Sequence, residues 1–163
     1  MEGTLPGSGE IQVVDTAYGR LSGIICWDTN FPNTVRQVGQ QQADILLSPA
    51  KEWDAINPMH AEMAVFRAIE NGVTVIRQAD EGLSIVADGY GRTLASGEGL
   101  VADGNYLLVE VPTSTPTTIY TVIGDVVGIA AAVGLVVLAI YALFMAQRRH
   151  RREEPETASG IPE

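Results

Sequence analysis

The single cysteine of the chain, Cys26, is the residue best suited to covalent chemistry. It closes the apolar run Gly23-Ile24-Ile25 and is followed directly by Trp27 and Asp28. A thiol at the tip of a strand, before a turn and a helix, is held on a rigid element and stays accessible. A lone cysteine is more often a small buried hydrophobe, so the nucleophile interpretation depends on its neighbours. One cysteine also excludes an intrachain disulfide and a multi-cysteine zinc site.

The elements around the cysteine predict a layered α/β domain. Val13-Val14 and Leu21 to Cys26 are predicted strands, joined into a hairpin by a turn at Tyr18-Gly19. A helical pattern follows from Asn33 to about Gln42, and Ile45 to Leu47 is a short apolar run suited to a strand buried on both faces. Alternating strands and helices of this kind pack as layers.

The second half of the domain continues with one helix and several strands. The helix starts at Asn57-Pro58, a cap followed by proline, and stops at Asn71-Gly72. Glycine-containing turns then separate four predicted strands: Val73 to Arg77, Leu83 to Ala87, Thr93 to Ala95 and Tyr106 to Val111. Residues 112–125 are predicted to be a linker that approaches a membrane, its first part rich in Pro, Thr and Ser.

Residues 126–146 are predicted to form one transmembrane helix. No residue between Asp125 and Arg148 is charged, and the stretch supplies the roughly 20 apolar residues that cross a bilayer. The tail, residues 147–163, opens with the basic cluster Arg148 to Arg152, which the positive-inside rule keeps in the cytoplasm. The domain before the helix is therefore expected on the outer or periplasmic side of a bacterial inner membrane.

The charge distribution excludes one class of partner and raises a question of topology. The formal net charge is −10 at pH 7, and the residues before the span include six basic and sixteen acidic side chains. So acidic a domain is a poor match for phosphate backbones, which excludes a nucleic-acid partner. Met1 to Ser8 is polar and rich in Gly and Pro, unlike a signal peptide. We therefore expect earlier transmembrane segments to export the domain.

Residues 23–32, which read GIICWDTNFP, resemble the nucleophile motif of the carbon–nitrogen hydrolase (nitrilase) superfamily. That motif has the form Gly-x-x-Ile-Cys-Tyr/Trp-Glu/Asp, followed by Phe-Pro. Further similar motifs occur in the same order over residues 9–111: Tyr18-Gly19-Arg20, Asp44 to Ser48, Trp53, Arg67 to Gly72, Gly82-Leu83-Ser84 and Asp88 to Arg92. The resemblance implies that residues 1–111 form the C-terminal part of a nitrilase-like α-β-β-α sandwich, followed by one transmembrane helix.

Within this superfamily, the chain is most similar to the apolipoprotein N-acyltransferases, whose nitrilase-like domain precedes a final transmembrane helix. The resemblance implies a two-step acyl transfer with Cys26 as the catalytic nucleophile. The thiolate takes a fatty acyl group from a phospholipid donor as a thioester, then passes it to the N-terminal amine of a lipoprotein acceptor. It implies no cofactor and no metal. The oligomeric state is left open.

Several further residues receive expected roles. The backbone N–H of Trp27 is placed to help bind the oxyanion of a tetrahedral intermediate. Asp28 stands where many relatives carry glutamate, and with Trp53 it is a candidate substrate-binding residue, although Trp53 could instead fill the core. Glu2 is either an auxiliary glutamate of the family or an ordinary exposed residue. His60, on a helix, is predicted to be a polar surface residue.

The family activates its cysteine with a glutamate and a lysine that precede it in sequence. None of the 25 residues before Cys26 is a lysine, and the only lysine, Lys51, is predicted to be a solvated loop residue. We therefore expect the chain alone to lack the catalytic glutamate and lysine and to be inactive. Two alternatives stay open: a membrane-tethered amidase of the same superfamily, and a non-catalytic remnant or partner subunit.

Overall fold

A computed structural model describes residues 7–53, 55–98, 106–114 and 116–153. The chain divides into two units, one ending at Gly124 and the other beginning at Asp125. The first unit contains a mixed sheet, two helices of nine and fifteen residues and a short helix of five residues, and the second contains one long helix. The site chemistry predicted from the sequence belongs to the first unit.

The first unit is built on a six-stranded sheet. Its strands occur in the spatial order β1-β2-β3-β5-β7-β8, with β2, β3 and β5 parallel and the remaining pairs antiparallel. A separate parallel pair is formed by β4 and β6. The strand bounds are β1 Val13–Thr16, β2 Gly19–Gly23, β3 Ile45–Leu47, β4 Ala50–Lys51, β5 Thr74–Arg77, β6 Ala79–Asp80, β7 Leu83–Ala87 and β8 Thr93–Glu98.

Two helices, α1 (Pro32–Gln40) and α2 (Asn57–Asn71), contribute to the core that covers one face of the sheet. Alternate strand residues point toward them, because side chains along a strand alternate between faces. The buried apolar core comprises Ile24, Val35, Val38, Ala43, Leu46, Ala64, Ala68, Val73, Val75 and Ala87. The alternation of strands and helices predicted from the sequence is confirmed, including the hairpin of β1 and β2.

Helix α2 ends where the sequence predicts. Gly72 adopts a left-handed conformation with φ +61°, and its N–H bonds the carbonyl of Ala68. A side chain here would be strained, since this region of φ favours glycine, and a Cβ atom would meet the carbonyl oxygen of Pro116. The Asn71-Gly72 stop is therefore confirmed, and it lets the chain pass directly into β5.

The segment from Tyr106 to Val111, predicted to be a strand, forms none. It runs beside β5 and β7 and borders a cleft of about 400 Å³. Both neighbours of β7 within the sheet are already strands, β5 and β8, so this segment meets no free edge there. The strand was predicted because the segment follows glycine-containing turns, but strand formation also needs an unpaired edge.

A short helix, α3 (Ile119–Ile123), packs against α1 within the stretch predicted to be a linker. Arg36 and Gln40 of α1 both donate to the carbonyl oxygen of Thr121, at 3.0 and 3.3 Å. Side-chain cations near a helix C-terminus satisfy carbonyls that lack partners within the helix. These contacts fix residues 119–123 to the first unit.

The second unit contains α4 (Val126–Glu153). Residues 126–149 of this helix are long and apolar enough to cross a membrane, and their side chains are exposed. An exposed apolar helix of this length is typical of a bilayer-spanning segment.

A buried carboxylate organises the turn between β7 and β8. Asp88 is fully buried and accepts hydrogen bonds from the N–H groups of Tyr90 and Arg92 at 3.0 Å, and from the Arg92 Nε atom at 2.7 Å. Burial by itself would raise the pKa of Asp88. The hydrogen bonds and the charge of Arg92 outweigh it, so the net shift is downward.

The substitution Asp88→Asn is expected to lower the free energy of unfolding by about 1–3 kcal/mol at neutral pH, because it removes a charge-assisted network. Because folding lowers the pKa of Asp88, its ionised form stabilises the folded state. This contribution is complete above the ordinary aspartate pKa near 3.9 and is lost as pH falls through the lower pKa of the folded state. The difference between wild type and variant, measured from unfolding midpoints, should shrink below pH 4. Asp15→Asn, at an exposed ion pair, is the control. A difference that persists unchanged to pH 2 would contradict this assignment.

Candidate active site

Cys26 lies just beyond the carboxyl end of β2, at the edge where the three parallel strands end together. Ligand and catalytic sites of open α/β sheets form at this edge. Cys26 has φ +48°, an uncommon left-handed conformation for a residue with a side chain. Its N–H donates to the Pro49 carbonyl at 2.8 Å, and its Sγ atom lies 3.7 Å from the Lys51 carbonyl oxygen. The thiol is half-buried.

A 3₁₀ turn, Cys26–Asn30, holds the thiol in place. The Asp28 carboxylate accepts a hydrogen bond from the Ile25 N–H at 3.1 Å, and the Thr29 hydroxyl donates to the Cys26 carbonyl at 2.9 Å. The sequence predicted a strand that continues to Cys26, but β2 stops at Gly23. The local polar contacts of Asp28 and Thr29 favour a turn over further strand pairing. The observed role of Asp28 is to brace this turn, and substrate binding by it stays a prediction.

Apolar side chains with large exposed areas occur in the turn that carries Cys26 and in the segments next to it. Ile25, Trp27 and Phe31 are 69, 49 and 52% exposed, and all belong to the turn or its flanks. Trp53 is 57% exposed, so it does not fill the core. Exposed apolar clusters beside a reactive group are typical of binding surfaces rather than of packing. Substrate binding by Trp53 stays a prediction.

Three buried polar side chains form a network next to the turn that carries Cys26. The sequence did not predict this network. The Arg77 guanidinium pairs with the Glu52 carboxylate, and the other Glu52 oxygen lies 3.0 Å from His60 Nδ1. The exposed fraction of all three side chains is 3% or less. Burial lowers the pKa of Arg77 from its ordinary value, and the nearby Cys26 opposes that shift. Arg77 is thus a buried cation that is paired with Glu52.

The prediction that His60 is a polar surface residue is wrong. Its ring is buried and contacts the Trp27 ring edge to face, with centroids 4.9 Å apart and an interplanar angle of 65°. His60 lies on the same face of α2 as Ala64 and Ala68, which are buried in the core. This spacing of four residues was the sequence signal that placed His60 inside.

Lys51 is exposed, and its Nζ atom lies 3.1 Å from Glu81 and 3.3 Å from Asp80. The hydrogen bonds that Lys51 donates to Glu81 and Asp80 raise the pKa of Lys51, so the amine stays charged at neutral pH. The amine is therefore engaged with these acids, and it is the main-chain carbonyl of Lys51 that faces the thiol. Glu2, the proposed auxiliary residue, lies outside the described residues.

Within the described part of the chain, no three His, Cys, Asp or Glu side chains are arranged to hold a metal ion. The residues gathered at the carboxyl edge are a thiol, a buried ion pair and a histidine. A thiol in these surroundings suits nucleophilic attack on a carbonyl carbon. Main-chain N–H groups would then stabilise the resulting oxyanion by hydrogen bonds.

The sequence profile of the carbon-nitrogen hydrolase family matches residues 1–117. Among curated relatives, an apolipoprotein N-acyltransferase of Bradyrhizobium diazoefficiens is 37% identical over 81% of this chain, which covers 24% of that protein. A protein of the same name from Borreliella burgdorferi is 34% identical over 71% of this chain and 23% of its own length. The chain thus spans about a quarter of the length of these relatives.

Solved structures agree with the fold. The first unit resembles an amidase from Nesterenkonia sp., with a TM-score of 0.52 and 26% identity over 58% of this chain and 39% of the amidase. A mutant of that amidase, 25% identical to this chain with the same coverage and TM-score, carries an acetamide moiety covalently added at its active-site cysteine. The predicted nitrilase-like fold class is confirmed by these similarities. With its nucleophile motif, its fold and a profile match over most of its length, the chain belongs to the carbon-nitrogen hydrolase family.

Proposed function

We propose that this chain carries the nucleophile of an enzyme that transfers a fatty acyl group from a phospholipid to the N-terminal amine of a lipoprotein. The observation that carries the proposal is the position of Cys26, strained and half-buried at the carboxyl edge of the parallel strands. The similarity to apolipoprotein N-acyltransferases supports the choice of substrates. The exposed apolar side chains of the turn that carries Cys26 suit an acyl chain.

The proposed reaction has two steps through one intermediate. The Cys26 thiolate attacks the ester carbonyl carbon of the donor, and the carbon–oxygen bond breaks as the lysophospholipid alkoxide leaves and takes up a proton. The acceptor amine then attacks the thioester, the carbon–sulfur bond breaks, and the amine loses a proton. In each step the Trp27 N–H is a proposed donor to the oxyanion. The base and cation that activate the thiol in the family are proposed to come from residues other than the exposed Lys51.

The apolar helix α4 supports a membrane location. We propose that residues 126–146 cross the bilayer, with residues 147–163 in the cytoplasm and Cys26 on the opposite side, close to both lipid substrates. In a Cys26→Ser background, Ser8→Cys should react with a membrane-impermeant maleimide in intact spheroplasts. Ser159→Cys should react only after permeabilisation. The reverse pattern of labelling would contradict the proposed orientation.

The amidase alternative is favoured by one observation, the structural similarity to a solved amidase. Native membranes that contain the protein would be given labelled phospholipid and a lipidated peptide with a free N-terminal amine. The transferase predicts N-acyl peptide, and the same peptide with its amine acetylated is the control and should gain no label. If a short-chain amide is hydrolysed while no N-acyl peptide forms, the enzyme is an amidase. If neither product appears, the non-catalytic alternative is favoured.

A further inference from the structure

Arg77, Glu52 and His60 form a buried polar network, and His60 contacts Trp27 in the turn that carries Cys26. Arg77 closes β5, Glu52 follows β4, and His60 lies in the first turn of α2. Three separate elements therefore place ionisable groups in one buried cluster. A guanidinium and a carboxylate at this depth are costly to desolvate, and they persist only when paired and hydrogen-bonded. Arg77 also lies 3.4 Å from the Ser48 hydroxyl, which adds a polar partner.

The hydrogen-bond partners of His60 fix its protonation state. Since Arg77 holds Glu52 as a carboxylate, His60 Nδ1 must be the donor across the 3.0 Å contact with Glu52. Nε2 then accepts from the side-chain amide of Asn30, at 3.4 Å. Burial lowers the pKa of His60, which agrees with a neutral ring at physiological pH. A neutral ring with both nitrogens engaged is held in one orientation.

The fixed His60 ring contacts Trp27, the residue after the nucleophile. His60 packs edge to face against Trp27, whose other side is open to solvent. Aromatic pairs of this geometry contribute about 0.5–1.5 kcal/mol beyond their buried area. Trp27 follows a residue with φ +48°, and a strained conformation persists only when its surroundings overdetermine it. The contact of the His60 ring with Trp27 adds to the hydrogen bonds by which Pro49 and Thr29 hold Cys26.

We propose that His60 is a positioning residue for the nucleophile. Held by Glu52, which is held in turn by Arg77, it anchors Trp27 and thereby fixes the main chain that carries the thiol and the oxyanion donor. This inference rests on the proposed function of Cys26 as a nucleophile. Among the described residues His60 contacts Glu52, Asn30 and Trp27, so its effect on the reaction is exerted through Trp27.

Two substitutions separate the ring of His60 from its hydrogen bond. His60→Asn keeps a donor in the place of Nδ1 but removes the ring, whereas His60→Phe keeps a ring but removes the donor to Glu52. The chain has two tryptophans and one cysteine, so Trp27 emission is read in a Trp53→Phe background and thiol reactivity by iodoacetamide alkylation of Cys26. Both readouts work on the intact protein without any assay of acyl transfer. Asp88→Asn is the control for lost stability, because it disrupts a buried network in the turn between β7 and β8.

We expect His60→Asn to shift Trp27 emission to the red and to speed alkylation several-fold, because a loosened turn exposes the half-buried thiol. Its kcat for acyl transfer should fall about tenfold with little change in KM, because the misplaced nucleophile reacts poorly while substrate binding persists. His60→Phe should change the same readouts in the same direction but by less, because it keeps a ring against Trp27 and loses the bond to Glu52, and its unfolding midpoint should drop. Asp88→Asn should change only the unfolding midpoint.

Wild-type emission and alkylation in His60→Asn would overturn the inference. So would equal changes in His60→Asn, His60→Phe and Asp88→Asn, since a loss of general stability would then account for them. If the wild-type protein transfers no acyl group, the proposed function fails. Emission and alkylation would still decide whether His60 positions the turn.

Discussion

Replacing Cys26 with serine is expected to abolish acyl transfer, with a loss on the order of 10⁴-fold or more, as when other enzymes lose their nucleophile. The serine hydroxyl is far less ionised than a thiol at neutral pH, so no covalent intermediate should form. The measurement is N-acylation of a lipidated peptide by native membranes that contain the variant. The substitution is nearly isosteric, and the turn bonds of Asp28 and Thr29 use main-chain partners that serine retains.

A control distinguishes lost chemistry from lost structure. Cys26→Ser should keep the unfolding midpoint and the Trp27 emission of the wild type, since neither depends on the sulfur. Asp15→Asn, at an exposed ion pair on β1, should keep full acyl transfer. Transfer by Cys26→Ser within tenfold of wild type would show that another residue carries the acyl group.

Replacing Glu52 with glutamine should destabilise the first unit by about 3–5 kcal/mol, because it leaves the Arg77 charge buried without a counter-charge. This is a large fraction of the roughly 5–15 kcal/mol that holds a typical domain together. Glu52 also accepts the hydrogen bond from His60, so both neighbours lose their anionic partner. The change is measured as the difference in unfolding free energy between wild type and Glu52→Gln at neutral pH.

Two further variants test the cause of that loss. Glu62→Gln, on the exposed side of α2, is the matched control and should stay within about 0.5 kcal/mol of wild type. The double variant Glu52→Leu with Arg77→Met removes both charges and should recover much of the lost stability, because a desolvated pair adds little net stability over apolar packing. A single Glu52→Gln variant as stable as wild type would mean that Arg77 is not held by this carboxylate.

The secondary structure around the nucleophile was largely predictable, because it is encoded locally. The helical spacing of apolar residues and the capping residues located α2 and its end at Gly72. The apolar run at Ile45–Leu47 predicted the central parallel strand β3. The motif around Cys26 was recognisable because a nucleophile at the end of a strand requires particular neighbours. The predicted strand at Tyr106 to Val111 failed, because pairing depends on a free sheet edge that no local pattern reports.

The buried network was missed for a related reason. Arg77, Glu52 and His60 are separated by 8 to 25 positions, and sequence composition suggests exposure for each of them. Only the sheet brings the ends of β3 and β5 together, and only the start of α2 then places His60 against Glu52. The spacing of His60 with Ala64 and Ala68 was the one available clue, and it indicated burial without revealing a partner.

The central claim, that Cys26 carries the acyl group as a thioester, is tested most directly by the mass of the intact protein. Native membranes containing the protein would be incubated with phospholipid and no acceptor, and the protein analysed by mass spectrometry before and after neutral hydroxylamine. We predict a mass increase of one fatty acyl chain, located on Cys26, removed by hydroxylamine and absent from Cys26→Ser. An unmodified Cys26 in membranes that still acylate an added lipidated peptide would contradict the account.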